Sequence, residues 1–131
     1  MITTSNGTEL EVKAVSPVAL RNLLFGSGAF RRIAGMATRP QGEIVDEIKQ
    51  TLSSAEQLKL GADSMRLYNY VTAYGVSNEP PVEAIQQLQL MGFEVDETPI
   101  ARMHWLQMFV LSGNDANILL SKVIELTFQE G

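Results

Sequence analysis

The sequence predicts an α+β fold that is mainly α, with an N-terminal β-hairpin followed by four or five helices. Two observations support this prediction. The first residues alternate apolar and polar side chains around an Asn-Gly pair, which is typical of a hairpin. The rest of the chain repeats one pattern, in which a cap or a proline precedes apolar residues at helical spacing and a glycine often follows them.

The length and composition of the chain favour a single globular domain over residues 1–131. A hydrophobic content of 45% argues against intrinsic disorder. The chain has no cysteine, which excludes disulfides, thiolate catalysis and cysteine-ligated zinc. A net charge of −5 disfavours nucleic acid and anionic membranes as partners. We expect neither a secretory signal nor a membrane span, and therefore a cytoplasmic protein.

The hairpin is predicted over residues 1–15. Asn6-Gly7 tolerates the positive φ angles of a type I′ turn. After this turn, the alternation predicts that one face of the second strand is buried and the other is solvated. The residues expected on the buried face are Leu10, Val12 and Ala14.

The next segment predicts a short helix and then a long loop. Ser16 is the predicted N-cap and Pro17 the first helical residue, with the helix ending before Gly26. Glycines, a proline and three arginines over about residues 26–42 predict a mobile loop. "EIVDEIKQ", residues 43–50, fits either a short strand or a helical turn.

The helical part is predicted over about residues 54–129. Its first helix starts at a capping box of Ser54 and Gln57 and ends at Gly75, and Gly61 permits a break within it. A second helix follows Pro81, with Val82, Ile85 and Leu88 predicted on one face.

Two further helices complete the chain. In "TPIARMHWLQMFVLSG", Thr98 is the predicted cap and Pro99 the first helical residue. Asn114 or Asp115 is the predicted cap of the final helix, "ANILLSKVIELTF".

His104, the only histidine, is the first candidate for chemistry because its unperturbed pKa suits proton transfer. At helical spacing its neighbours are Ile100, Ala101, Gln107 and Met108, so no carboxylate or second histidine shares its face. His104 and Gln107 are therefore expected at the solvated edge of an otherwise apolar helix. We expect no catalytic residue, no cofactor and no metal site.

Two carboxylate clusters and one basic loop complete the search. Neither cluster follows the order of a calcium-binding loop, and the second precedes a helix N-terminus, where negative charge is favoured. Glycines in the loop match no phosphate-binding motif. Its arginines could contact nucleic acid, although a solvated loop explains them as well on so acidic a chain. The residues in question are Glu43, Asp46, Glu47; Glu94, Asp96, Glu97; Gly26, Gly28; and Arg31, Arg32, Arg39.

The last two helices carry more apolar surface than one core needs. Between Met103 and Leu111 only His104 and Gln107 are polar, and the final helix has two apolar stripes. A helix that is apolar around most of its circumference either lies centrally in the core or buries a second face against a partner. Burial in the core explains each of these residues singly, whereas the surplus as a whole favours self-association or a protein partner. The candidate partner contacts are Trp105, Met108, Phe109, Leu120, Ile124 and Phe128. For Trp105→Ala, the expectation is weaker partner binding with the fold intact.

The order of these elements resembles the tail assembly chaperones of long-tailed (siphovirus-like) phages and prophages. The resembling segments are "ITTSNGTELEVKAVSP", the loop after it, "LYNYVTAYGV" and "ARMHWLQMFVLSGNDANILLSKVIELT". The resemblance is a pattern of elements over nearly the whole chain, without a catalytic motif. The family's middle segment is often acidic and rich in proline, whereas "GSGAFRRIAGMATRPQG" carries three arginines here.

The resemblance implies a protein that is not an enzyme. It implies binding to the tape measure protein, which such chaperones keep soluble while the tail tube polymerises, with the tail tube protein as a second candidate partner. It also implies a homo-oligomer that acts in the host cytoplasm and is absent from the mature virion. Two other hypotheses stay open: a structural tail or head–tail joining subunit, and a small nucleic-acid-binding regulator that uses the loop arginines.

Overall fold

The computed structural model describes residues 1–25 and 53–129, and the chain divides into two compact units. Unit 1 comprises Met1–Val15 and Asn69–Gly131, and unit 2 comprises Ser16–Tyr68. The described residues form an N-terminal antiparallel hairpin and five helices, which confirms the mainly helical α+β class. The single domain predicted for the chain stays a prediction. The loop over 26–42, the segment 43–50, the loop glycines and arginines, and the cluster Glu43, Asp46 and Glu47 lie outside the described residues.

Unit 1 begins with the hairpin, whose strands β1 (Ile2–Thr3) and β2 (Glu9–Leu10) pair with Ile2 opposite Leu10. The predicted type I′ turn is wrong, because no residue other than glycine in the described chain has a positive φ. Instead, Gly7 donates its N–H to the carbonyl of Thr4 at 3.0 Å and itself has a φ of 89°. This geometry is a three-residue loop with a glycine bulge.

The Asn6 side chain explains why the chain prefers this loop. Its Oδ1 accepts hydrogen bonds from the backbone N–H and the hydroxyl of Thr8, at 3.3 and 3.0 Å, and from the hydroxyl of Thr4. A short polar side chain that binds its own turn in this way is a common turn stabiliser. Asn6 therefore acts through its side chain, and only Gly7 needs the left-handed backbone.

Residues 11–13, just after β2, pair with residues 75–77 further along the chain. Lys13 donates its N–H to the carbonyl of Gly75, Ser77 donates to the carbonyl of Glu11, and Val12 bridges Val76 in antiparallel register. Both bonds measure 2.9 Å. Leu10 is fully buried and Val12 half-buried, whereas Ala14 is exposed, so the predicted alternation holds only as far as Val12.

Helix α1 of unit 2 spans Pro17–Phe25, and α2 spans Ser54–Tyr74 and so contributes residues to both units. The predicted cap of α1 is confirmed, because Ser16 Oγ accepts the N–H of Ala19 at 3.3 Å. The helix α2 passes through Gly61 without a break and ends before Gly75, as the glycine predicted. Among the described residues of unit 2, Leu20, Leu24 and Leu67 are buried.

Three more helices complete unit 1: α3 (Val82–Leu90), α4 (Thr98–Trp105) and α5 (Asp115–Phe128). Gly92 ends α3 with a φ of 89°, and Phe93 donates its N–H back to Leu88 at 2.9 Å, which is a Schellman motif. The N-cap of α4 is Glu97 rather than the predicted Thr98. The residues that pack the interior of unit 1 include Val71, Leu88, Leu106, Leu119 and Val123.

One predicted helical face is wrong. Leu88 is fully buried and Ile85 half-buried, but Val82 is exposed. Residues three apart on a helix are rotated by about 60° from one another, so two such steps carry the stripe well away from its starting direction. Val82 consequently lies on the outer side of α3.

The backbone of Gly75 packs closely against the core of unit 1. A Cβ built on it would lie 2.8 Å from Val123 Cγ2 and 2.8 Å from the carbonyl oxygen of Val71. Only a residue without a side chain fits where the end of α2 meets α5. The glycine therefore both stops the helix and admits close packing.

We predict that Gly75→Ala lowers the free energy of unfolding by about 1–3 kcal/mol, because the methyl group overpacks the core and meets backbone that cannot move aside. Gly61→Ala is the matched control: no atom lies within 4 Å of its Cβ position, inside α2. The control should stabilise the chain by up to about 1 kcal/mol through helix propensity. Urea unfolding of both variants checks the prediction, and equal effects of the same sign would contradict it.

Candidate partner-binding surface

The structure separates the six candidate partner contacts by burial. Trp105 is only 8% exposed and belongs to the core, so it offers almost no surface to a partner. Met108 is 47% and Phe109 40% exposed. Of the others, Leu120 and Ile124 are half-buried and Phe128 is exposed.

A π-helical turn over Leu106–Val110 continues α4 and carries Met108 and Phe109. Leu111 donates its N–H to the carbonyl of Leu106 at 2.8 Å, five residues back, which closes this wider turn. The sequence predicted an ordinary helix here. Turns of this kind are rare and often mark functional sites. Leu106 and Val110 are buried in the core. Met108 and Phe109, on the same turn, are large, apolar and exposed.

Gln107 holds the same turn from its inner side. Its Nε2 donates to Asn69 Oδ1 at 2.8 Å and to Thr72 Oγ1 at 3.0 Å, both on α2. Gln107 was expected at a solvated edge, so the structure corrects that expectation: its amide is bound within the protein. Gln107 faces α2, whereas its neighbours Met108 and Phe109 are exposed.

His104 is half-buried, and its ring lies against Phe93 with the ring centroids 4.7 Å apart. The contact joins α4 to Phe93, whose N–H closes the Schellman motif of α3. This ring pair gives His104 a packing role, which accounts for the residue without a chemical one.

The two apolar stripes of α5 differ in burial. Leu119 and Val123 are fully buried, and Leu126 of the same stripe is half-buried. The second stripe, Leu120, Ile124 and Phe128, is only partly covered. The most exposed large apolar residue of α5 is Ile118, at 49%, which belongs to neither predicted stripe.

Asp115 fixes the turn between α4 and α5. Its carboxylate accepts the N–H of Ser112 at 2.9 Å, the N–H of Ser5 at 3.0 Å and the hydroxyl of Ser5 at 2.8 Å. Burial by itself would raise the pKa of this carboxyl. The hydrogen bonds from Ser112 and Ser5 outweigh that effect and hold its pKa below the ordinary value. The loop of the N-terminal hairpin is thereby attached to the start of α5.

Arg102 is a buried charge that sequence reasoning missed. Its Nε donates to the carbonyl of Asn78 at 2.6 Å and its Nη1 to the carbonyl of Ala73 at 2.7 Å. Ala73 lies in the last turn of α2, where a cation is favoured by the exposed carbonyls. The sequence signal was only an arginine within an otherwise apolar helix.

We name Met108, Phe109 and Ile118 the turn-flanking residues, because they lie within about one helical turn of the Leu111–Asn114 connection on either side. All three are large, apolar and at least 40% exposed. The charged residue in the first turn of α5 is Asp115, whose carboxylate is buried and bound by Ser5 and Ser112, and Lys122 and Glu125 pair with each other at 3.6 Å further along the helix. The exposed side chains of the set are therefore apolar, as suits contact with another apolar protein surface.

Within residues 1–25 and 53–129, no group of three or more His, Asp or Glu side chains is arranged to hold a metal ion. Glu94, Asp96 and Glu97 are all exposed, next to the start of α4. Among the helices of the same residues, none combines the length and the apolar character that crossing a membrane requires.

Comparison of the chain with protein-family models, with curated proteins and with solved structures found no match.

We predict losses of stability that differ in size for two aromatic truncations on the same helical segment. Trp105→Ala should lower the free energy of unfolding by about 3–5 kcal/mol, because it empties a core position. Phe109→Ala should cost about 1 kcal/mol or less, since much of its side chain is already in water. Thermal and urea unfolding followed by circular dichroism measure both, and a similar loss for the two variants would show that Phe109 is also a core residue.

We predict that Asp115→Asn lowers the free energy of unfolding by about 1–3 kcal/mol at neutral pH, because the amide replaces an acceptor of three hydrogen bonds. The lowered pKa means that the carboxylate stabilises the fold above its unfolded pKa of about 3.9 and loses that effect as the pH falls through its folded pKa. The gap between wild type and variant should therefore shrink below about pH 4. Urea unfolding at several pH values measures it, and a gap that stays constant down to pH 2 would show that ionisation of Asp115 contributes nothing.

Proposed function

We propose that this chain is a tail assembly chaperone of a long-tailed phage or prophage, which binds the tape measure protein and is not an enzyme. The observation that carries the proposal is the exposure of Met108, Phe109 and Ile118 on both sides of the α4–α5 turn. A tape measure protein presents long apolar helical surface, and a chaperone has to cover such surface reversibly. Exposed apolar side chains on a stable helical framework suit that task.

The local structure of the turn supports the same proposal. Gln107 and Asp115 are both held by hydrogen bonds inside unit 1, so the backbone that carries the exposed residues is fixed from within. A binding surface on a fixed backbone loses less conformational entropy when a partner binds. The arrangement also resembles the family pattern of an apolar helix, a short polar turn and an apolar final helix.

Two further parts of the proposal concern assembly and location. Self-association would use the partly covered stripe of Leu120, Ile124 and Phe128 on α5. The chaperone would act in the host cytoplasm, with the tail tube protein as a second partner, and would leave before the virion is complete.

We predict that co-expression with the tape measure protein of the same phage yields a soluble complex with several copies of this chain per tape measure molecule. The double variant Met108→Ser and Phe109→Ser should lower the amount of soluble complex about tenfold, because it removes apolar area from the binding surface. Size-exclusion chromatography with light scattering measures the mass and the yield of the complex.

The matched control is Met65→Ser, which alters an exposed methionine on α2. It should leave the complex unchanged. Precipitation of the tape measure protein in the presence of wild-type chain would overturn the proposal. Detection of the chain in purified particles by mass spectrometry would favour a structural subunit instead, and DNA binding that weakens steeply with salt would favour a regulator.

A further inference from the structure

Helix α3 exposes apolar side chains that the fold does not use. Leu90 is 87% and Val82 66% exposed, while Leu88 on the opposite side is fully buried. Val82, Gln86 and Leu90 follow one another at intervals of four residues, so they form a ridge along the outer side of the helix. The apolar contact that normally accompanies a Schellman motif joins the positions of Leu88 and Phe93, so the motif does not require Leu90.

The charged residues of α3 and of the segments just before and after it all have one sign. Glu79, Glu83, Glu94, Asp96 and Glu97 are exposed, and no lysine or arginine occurs between residues 67 and 101. Glu83 lies on the outer side of α3 beside Val82, and the other acids lie in the segments just before and after the helix. The favourable interaction of carboxylates with a helix N-terminus accounts for Glu83 in α3 and for the acids before α4, but it does not account for the absence of any cation over so long a segment.

The combination of an apolar ridge and acidic surroundings selects one kind of partner. An apolar ridge on a helix fits the apolar stripe of a second helix, and surrounding carboxylates attract a helix whose flanks carry lysine and arginine. The same carboxylates repel acidic helices and nucleic acid. They also discourage pairing of this surface with the same surface of a second copy, since both copies bring like charges together.

We propose that the outer side of α3, with Val82 and Glu83 at one end and Leu90 at the other, binds a cationic amphipathic helix of a partner protein. The surface lies on a different helix from the turn-flanking residues and differs from them in charge. The inference therefore stands whether or not the tail assembly proposal holds. Because the apolar ridge is small, binding is weak and depends on salt.

Two helical peptides of about four turns test the proposal on the full chain. The first carries leucine on one face and lysine on the other, and the second has glutamate in place of every lysine. Isothermal titration at physiological salt should show binding of the lysine peptide and none of the glutamate peptide. In ¹H–¹⁵N spectra of the labelled chain, the shifts that change should cluster on residues 79–94.

Three variants distinguish binding at this surface from a general attraction between a cationic peptide and an acidic protein. Val82→Ser and Leu90→Ser keep every charge and should together weaken binding of the lysine peptide about tenfold or more. Val18→Ser on α1 is the matched control, because Val18 is 64% exposed, and it should leave binding unchanged. Circular dichroism of each variant confirms that the fold is retained, as expected for side chains that are already exposed.

Each other outcome overturns the proposal. Unchanged binding after Val82→Ser and Leu90→Ser would show that charge alone attracts the peptide. Equal binding of the glutamate peptide would show that the carboxylates select nothing. Equal weakening by Val18→Ser would place the contact elsewhere, and absence of binding at physiological salt would remove the surface altogether.

Discussion

The backbone pairing between residues 9–13 and residues 75–78 is the constraint on which unit 1 depends. A two-stranded hairpin is marginally stable by itself in water, and here each strand has only two paired residues. Pairing with the segment after α2 gives β2 a partner on its second edge. Asn78 reinforces this pairing, because its side chain accepts the N–H of Glu11 at 2.7 Å and donates to the carbonyl of Glu9 at 3.1 Å. The ordering of the N-terminus thus depends on contacts nearly seventy residues away in the chain.

The pairing of residues 9–13 with residues 75–78 also brings other buried polar groups into position. Arg102 binds the carbonyls of Ala73 and Asn78, so α4 is held to the segment that pairs with β2. At the end of the hairpin segment, Val15 donates its N–H to Thr127 Oγ1 at 3.1 Å, near the end of α5, and Ser5 binds Asp115 at its start. Both ends of α5 are therefore tied to the N-terminal segment. A buried polar group is costly unless it is satisfied, so these bonds specify one arrangement of helices rather than several.

Sequence patterns predicted those parts of the fold that short-range signals determine. Ser16 and Pro17 started α1, and Gly75 and Gly92 ended α2 and α3, because caps and stops act within a few residues. The turn at Asn6 was predicted wrongly, since its side chain had a local alternative to the positive φ that the dipeptide permits. The π-helical turn and the bonds of Arg102, Gln107 and Asp115 depend on tertiary partners, so no pattern along the chain could reveal them.

For the candidate site too, the sequence predicted some features, and others depended on tertiary packing. The surplus of apolar residues in the last two helices was visible in the sequence, but their distribution between core and surface was not. Trp105 and Phe109 are both large aromatics four residues apart, and only the packing of α4 and its π-helical turn separates a buried residue from an exposed one. Ile118 and Leu90 escaped attention because helical periodicity identifies stripes, whereas an exposed residue beside a stripe leaves no periodic signal.

Two exposed apolar surfaces, one on α3 and one at the α4–α5 turn, pose a problem of solubility, and the charge distribution addresses it. Each exposed apolar group carries a risk of non-specific association. A net charge of −5 makes two copies of the chain repel each other at long range, and around α3 the carboxylates stand next to the apolar ridge. Near the α4–α5 turn, the carboxylate of Asp115 is buried and hydrogen-bonded, so little of its charge faces a partner there. A copy of this chain or another neutral apolar surface can therefore approach the turn, whereas α3 admits only a partner that brings positive charge. One small chain can in this way keep two apolar surfaces exposed and reserve them for different kinds of partner.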